Sequence, residues 1–394
     1  MRILVTGGAG FIGSNVVDAL VREGHEVAIL DNLSTGRKEN LNTDAKFYNV
    51  DITDFEGVER VFKDFKPEIL YHLAAQIDVR KSVSDPVFDG RVNVLGSINL
   101  FKLSVEYGVK RVIFSSTGGA LYGEPVKLPA TEDTPVEPLS PYGVSKYCGE
   151  NYLNYFKRLY GGDRYAPLRS AHDDSEGRLS GGDRDTPLCS PKNDGKARLP
   201  GGDQNAPISY PHEDRKGSFS EGEQNNPTSS AQNVENKGLP EETHGFERVI
   251  LRYANVYGPR QDPLGEAGVI AIFIGKILKG ERPIIYGDGT QTRDYIFVED
   301  VVRANLLALT GKEGTYNIGT GIETSVNELV EILCEVFGKK IEPIYADERP
   351  GEVKRIALDG TFAKEVLGFV PHYSLYEGIK KTVEWFKTHK EYLG

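Results

Sequence analysis

The chain has 394 residues, 39% of them hydrophobic, so it can bury a large core, and its length favours two domains over one. Its three cysteines, Cys148, Cys189 and Cys334, are odd in number and lack ligand spacing, which excludes a disulfide framework, predicts no metal site and fits a reducing cytoplasm. The net charge of -11 argues against a general nucleic-acid surface, and without a charged leader or a long apolar stretch neither secretion nor membrane insertion is expected.

Arg2 to Thr6 is a short apolar run of strand type. Gly7, Gly10 and Gly13 then punctuate the start of a helical pattern through Val16, Val17, Leu20 and Val21. Glycines let a backbone approach a pyrophosphate closely, and a helix N-terminus offers it free N–H groups and a positive dipole end. A second strand, Glu26 to Leu30, ends at Asp31, about twenty residues beyond the glycines, where an acid accepts hydrogen bonds from the adenosine ribose. A carboxylate there repels a 2′-phosphate, so NAD is expected rather than NADP.

Strand-like runs at Phe47 to Val50, Ile69 to His72 and Arg111 to Ser115 alternate with helical patterns at Phe55 to Phe65, Asn93 to Tyr107 and Tyr142 to Tyr160. That alternation predicts an α/β fold, a Rossmann-type doubly wound parallel sheet. Val249 to Arg252 continues it. Further helices are predicted near Ile270 to Lys279, Val301 to Leu309, Val326 to Phe337 and Tyr376 to Lys387. Residues 1–160 plus 245–262 are assigned to the dinucleotide-binding domain, and 263–394 mainly to a smaller mixed α/β domain that holds substrate.

Between Tyr160 and Phe246 the composition changes. Gly161, Gly181, Gly201 and Glu221 each open a segment of about twenty residues, with Pro167, Pro187, Pro207 and Pro227 at one internal position and Leu179, Leu199, Phe219 and Leu239 at another. Two apolar positions per unit contribute roughly 2–6 kcal/mol if fully buried, against about 20–40 kcal/mol of backbone entropy for twenty ordered residues. Residues 161–244 are therefore expected to form a polar, disordered excursion whose closure costs the host fold on the order of 2–3 kcal/mol. His172 and His212, each followed by two acids, read as solvated charge.

Tyr142 and Lys146 are four apart on a predicted helix and share one face. A free tyrosine is a poor base at neutral pH; a nearby ammonium and the positive nicotinamide ring favour its phenolate. Tyr142 is thus expected to take a hydroxyl proton while the carbon beneath gives up hydride, with Lys146 depressing the tyrosine pKa. Ser115-Ser-Thr-Gly-Gly119 follows the preceding strand, where α/β sheets place ligand contacts, and Thr117 is the hydroxyl best placed to bridge substrate and Tyr142.

The glycine fingerprint, Asp51-Ile52, His72-Leu-Ala-Ala75, Asn93, Ser115-Ser-Thr, Tyr142-x-x-x-Lys146 and Arg252-Tyr-x-Asn255 together resemble the extended short-chain dehydrogenase/reductase family, and within it bacterial UDP-glucose 4-epimerases. The resemblance implies that Gly7, Gly10, Phe11, Ile12, Gly13, Asp31, Asn32, Asp51, Ile52, Leu73, Ala74, Ala75, Asn93, Ser115, Tyr142, Lys146 and Tyr253 surround NAD. It assigns Thr117, Tyr142 and Lys146 to catalysis. It gives Asn255, Val269, Tyr286, Arg293, Tyr295, Arg349 and Glu352, with Thr117, to a UDP-sugar, and it places Ile356 at the sugar pocket. Guanidinium forks at Arg293 and Arg349 suit a diphosphate in an acidic protein.

Dehydratases of this pattern carry an Asp-Glu pair after the threonine, where Gly118-Gly119 stand here, so oxidation followed by return of hydride is the implied chemistry. The alternatives are an epimerase for N-acetylated or uronic sugars, a decarboxylase, or a non-catalytic NAD-binding scaffold. The Tyr142 helix commonly pairs with its copy in this family, which implies a homodimer that the excursion perturbs.

Overall fold

The computed structural model describes residues 1–160, 246–264, 268–348 and 353–393. The expected excursion at 161–244 lies outside the described residues, as do Arg349 and Glu352.

Alternate residues of a strand face opposite sides, so strands apolar at every position demand cover on both faces. Ile3, Leu4 and Val5 are all fully buried. They belong to β1 (Arg2–Thr6), followed by β2 (Glu26–Asp31), β3 (Lys46–Asn49), β4 (Ile69–His72), β5 (Arg111–Thr117) and β6 (Glu247–Tyr253). Short strands β7 (Asn255–Tyr257), β8 (Ile284–Tyr286), β9 (Thr292–Arg293) and β10 (Tyr295–Phe297) precede β11 (Gly314–Ile318), with β12 (Thr324–Ser325) and β13 (Ile344–Ala346) beyond. The main sheet runs β11-β6-β5-β4-β1-β2-β3 and is parallel throughout. Its order reverses between β1 and β4, and that reversal opens the crevice where such sheets bind dinucleotides.

The helices are α1 (Phe11–Arg22), α2 (Phe55–Phe65), α3 (Val79–Ser84), α4 (Pro86–Gly90), α5 (Gly96–Glu106), α6 (Pro141–Tyr160), α7 (Val269–Leu278), α8 (Val298–Thr310), α9 (Val326–Phe337), α10 (Thr361–Leu367) and α11 (Leu375–Thr388). Ile3, Val5 and Ile29 pack with Val16 and Leu20 of α1 and Val301 of α8 on one face. Leu4, Leu30 and Phe114 pack with Phe62 of α2, Phe101 of α5 and Leu153 of α6 on the other. A third apolar cluster joins α7, α9 and α11 to β10.

The predicted helix from Asn93 to Tyr107 is divided. A π-helical turn, Arg91–Leu95, links α4 to α5, and the wider turn sets Asn93 inward. Strand β11 was not predicted; its alternation of polar and apolar residues is too short to distinguish from a loop.

A buried ion pair joins sheet to helix. Arg252 of β6 forks onto Glu150 of α6, with Nη2–Oε2 at 2.6 Å and Nε–Oε1 at 3.0 Å, and both residues are buried. Ser116 of β5 donates to the same carboxylate at 2.5 Å. Removing one partner strands a buried charge. Arg252→Met is expected to lower unfolding free energy by about 3–5 kcal/mol, read from urea denaturation.

Candidate active site

The cradle is set by steric closeness. Gly7 has φ +71°, and a Cβ there would lie 2.7 Å from Ala74 N; at Gly13 it would lie 2.1 Å from the Gly7 carbonyl oxygen. Gly10 caps α1 with no side-chain acceptor, and no acid stands in the first turn, so Phe11, Ile12 and Gly13 open a helix end suited to an anion. The residues present fit a dinucleotide phosphate.

At the end of β2, buried Asp31 accepts N–H bonds from Ala9 at 3.0 Å and Leu33 at 2.8 Å. Burial raises its pKa, opposed by those bonds. Asn32 donates to Asp51 at 2.7 Å. For Asp51, burial works upward, but bonds from Thr53 and Asn32 outweigh it and lower the pKa. Leu73 N and Ala74 N return to the Thr6 carbonyl and hydroxyl, at 3.2 and 3.3 Å, which fixes the start of the Leu73-Ala74-Ala75 segment beside the cradle. Ile52 fills the space over Gly96.

Asn93 exchanges hydrogen bonds with the Gln76 backbone, 2.8 Å from Gln76 N and 2.9 Å to its carbonyl, and donates to Asp89 and to Ser145, each at 3.1 Å. Ser145 in turn donates to the Tyr142 carbonyl at 3.0 Å. Ser115 and Tyr253 meet hydroxyl to hydroxyl at 3.1 Å, and Tyr253 also contacts Asn305; its hydroxyl is thus turned into this network. Burial pushes the Tyr253 phenol up to about 12.

Tyr142 and Lys146 occupy successive turns of α6, and Thr117 ends β5. The Thr117 side chain faces the Tyr142 phenol closely enough to lower its pKa. Lys146 Nζ lies 4.4 Å from the Phe114 ring centroid. In the protein without cofactor, burial pushes the Tyr142 phenol up to about 12, the Asp89 charge adds to this, the Thr117 hydroxyl opposes it, and Lys146 is not among the causes. Burial also brings Lys146 down to about 8, against the charges of Glu150 and Asp89. Desolvation exceeds the neighbouring charges at both groups.

On the substrate side, Gly118 and Gly119 both donate to the Tyr253 carbonyl. A Cβ at Gly118 would sit 2.4 Å from Leu358 Cδ1; one at Gly119 would sit 3.2 Å from Asn255 Oδ1 and 3.9 Å from Thr117 Oγ1. Asn255 thus stands beside Thr117. Asn255 Oδ1 and Tyr295 Oη are among the buried side-chain atoms of the described residues that lack a hydrogen-bond partner. Val269 opens α7, Tyr286 ends β8, and Arg293 in β9 donates to the Thr292 carbonyl at 2.8 Å. Ile356 departs from expectation: it is 1% exposed and packs in the first core cluster, leaving almost no surface for a sugar.

Sequence reasoning missed Gln76, Asp89 and Glu150. Glu150 was findable, because Tyr142, Lys146 and Glu150 recur every four residues along one helical face. Asp89 lies outside any such spacing.

A crevice at the reversal of a parallel sheet, a glycine cradle under it and a Tyr–Lys pair beside it define a dinucleotide-dependent enzyme that moves hydride and protons. The chain belongs to the NAD dependent epimerase/dehydratase family, whose model matches residues 3–183 and 240–319. It is 43% identical to a putative UDP-glucose 4-epimerase of Methanocaldococcus jannaschii over 98% of this chain and 99% of that one. The UDP-glucose 4-epimerase of Thermotoga maritima, solved with UDP-glucose, is 42% identical with a TM-score of 0.76, covering 99% of this chain and 100% of that one. The Thermus thermophilus UDP-glucose 4-epimerase, solved with NAD, is 37% identical with a TM-score of 0.73, covering 98% and 99%.

Lys146 also marks stability. The folded protein holds this proton less tightly than the unfolded chain, so between about pH 8 and the ordinary lysine value of 10.5 unfolding takes up a proton, and stability rises with pH across that window. Below it the buried charge is a standing cost. Lys146→Met is expected to be more stable than wild type at pH 7, with the advantage shrinking by pH 10, in denaturation midpoints of the cofactor-free protein.

Proposed function

We propose that this chain interconverts UDP-glucose and UDP-galactose by NAD-dependent epimerisation at carbon 4, through a transient 4-keto sugar. The observation that carries this choice is the closed space after Thr117. Leu358 Cδ1 lies 2.4 Å from a Cβ at 118 and Asn255 Oδ1 3.2 Å from one at 119, so an acidic pair for eliminating water would have to displace both side chains, and glycines stand there instead. Oxidation and return of hydride remain.

When bound, NAD supplies a reversible hydride acceptor and a positive ring charge that favours the Tyr142 phenolate. Gly7, Gly10 and Gly13 admit its phosphates, and Asp31 accepts from its ribose. Tyr142 takes the proton from the sugar 4-hydroxyl and later returns it, and Thr117 holds that oxygen in line. Lys146 keeps positive charge beside the phenol. Arg293, with Arg349, holds the diphosphate, and Glu352 accepts from the uridine ribose. Asn255 and Tyr295 use their open polar atoms on the nucleotide-sugar. Holding the nucleotide tightly leaves the sugar free to turn and present its other face.

A homodimer completes the proposal. Val83, Val87, Leu95, Tyr152, Tyr155 and Leu159 are exposed around α3, α4 and α6, apolar side chains that a second copy would cover. Because 161–244 depart from the end of α6, they are expected to weaken this pairing. Cys148 and Cys334 are free thiols, in keeping with a cytoplasmic location. Among the described residues no helix is long and apolar enough to cross a membrane.

Purified protein is expected to interconvert the two UDP-hexoses without added NAD, and Tyr142→Phe to turn over about 10²–10⁴ times more slowly while retaining cofactor. Activity on an acetylated pair alone would overturn the substrate assignment. Deleting 161–244 is expected to tighten the dimer in sedimentation velocity; equal dimer affinity in both forms contradicts the role given to the insertion.

A further inference from the structure

The glycine cradle is held from outside as well as from within. Ala9, at its centre, gives its N–H to Asp31 and receives two donors on its carbonyl, Arg37 N at 3.0 Å and Asn40 Nδ2 at 2.9 Å. The intervening loop lies directly on the cradle: a Cβ at Gly36 would fall 2.9 Å from both Ala9 Cβ and Asp31 Oδ1. What fixes Asn40 comes from the far end of the chain. The Tyr392 hydroxyl donates to Asn40 Oδ1 across 352 positions, and both residues are 3% exposed. Arg37 stacks 4.5 Å over the Tyr392 ring and pairs with Asp262 at 3.3 Å. The ring's edge contact with Trp385, at 4.7 Å and 71°, anchors it to α11.

We propose that Tyr392 is a positioning residue for NAD: through Asn40 it straps the loop of residues 32–40 onto Ala9 and so sets how tightly the cradle retains the dinucleotide. It rests on the NAD reading above. Tyr392 reaches Ala9 through Asn40, whose amide has its oxygen toward the strap and its nitrogen toward the cradle. Breaking the first bond leaves a buried acceptor open and frees the amide to turn, which loosens the second.

Tyr392→Phe removes the hydroxyl and keeps the ring under Arg37 and against Trp385. Dissociation of NAD from the full-length variant, followed by stopped-flow displacement, is expected to be about tenfold faster than from wild type. Turnover at saturating NAD changes by less than about twofold, so the loss falls on retention. The rise in melting temperature on adding NAD shrinks, whereas a purely structural role lowers the melting temperature of free and loaded protein equally. Asn40→Ala reproduces the faster release, and adding Tyr392→Phe to it has no further effect. The emission of Trp385, the only tryptophan in the chain, reports that the ring cluster stays packed.

Wild-type protein that binds no NAD overturns the cofactor reading and this proposal with it. Wild type that binds NAD, beside a Tyr392→Phe variant that releases it at the same rate, overturns this proposal alone. Equal, additive effects of Tyr392→Phe and Asn40→Ala do the same.

Discussion

The forked ion pair between Arg252 and Glu150 fixes the geometry on which the site depends. It joins β6 to α6, and Ser116 brings β5 into the same carboxylate. Arg252 also donates to the Tyr122 hydroxyl at 2.8 Å, which donates onward to Asn317 of β11 at 2.8 Å. Four segments meet at one charge. Glu150 stands two turns beyond Tyr142, so locking its carboxylate sets the rotation of α6 about its own axis, and with it the direction of Tyr142 and Lys146. A buried pair is a weak source of net stability, since both charges are desolvated. Its benefit here is in orientation.

A second network ties that helix to the cradle. Thr6, at the end of β1, meets His72 Nδ1 at 2.9 Å, and His72 Nε2 meets Ser97 at 2.9 Å. Ser97 donates to the Asn93 carbonyl at 2.6 Å, and Asn93 donates to Ser145 beneath Tyr142. Burial first, then the Lys146 charge, holds the His72 pKa well below its ordinary value, so the imidazole is neutral and links the two hydroxyls without adding charge. Both ends of the reacting centre are thus referenced to one sheet. The π-helical turn at Arg91–Leu95 serves the same end by aiming Asn93 inward.

Much of this was legible in the sequence because it is repeated along the chain. Helices α2 and α9 and strand β4 carry uninterrupted apolar patterns, and their predicted limits match the observed ones. The glycine spacing, Asp31 and the Tyr142–Lys146 step were legible from residue identity and spacing alone, and the proposed cradle and the proposed acid–base pair rest on them. Features set by one tertiary contact were not legible. Strand β11 pairs along β6 only because α8 returns the chain to the sheet edge. Asp89 reads as an ordinary surface acid until Gln76 and Asn93 close over it. Ile356 was assigned a pocket that its own core packing fills. At Tyr142, likewise, a spacing of four shows that a lysine is near, and it carries no information on how dry the space is.

That dryness bears on the chemistry. In the protein alone Tyr142 is a phenol pushed up to about 12, which keeps its proton at neutral pH, while Lys146, brought down to about 8, still carries its charge there. A site so arranged is quiet until a positive ring and a sugar hydroxyl enter together. The central claim is that one hydride leaves carbon 4 and returns to the same carbon without meeting water. UDP-galactose deuterated at carbon 4 tests it most directly, with product analysed by mass spectrometry and NMR. We expect UDP-glucose that keeps the deuterium at carbon 4; product whose carbon 4 carries solvent hydrogen instead would contradict the mechanism.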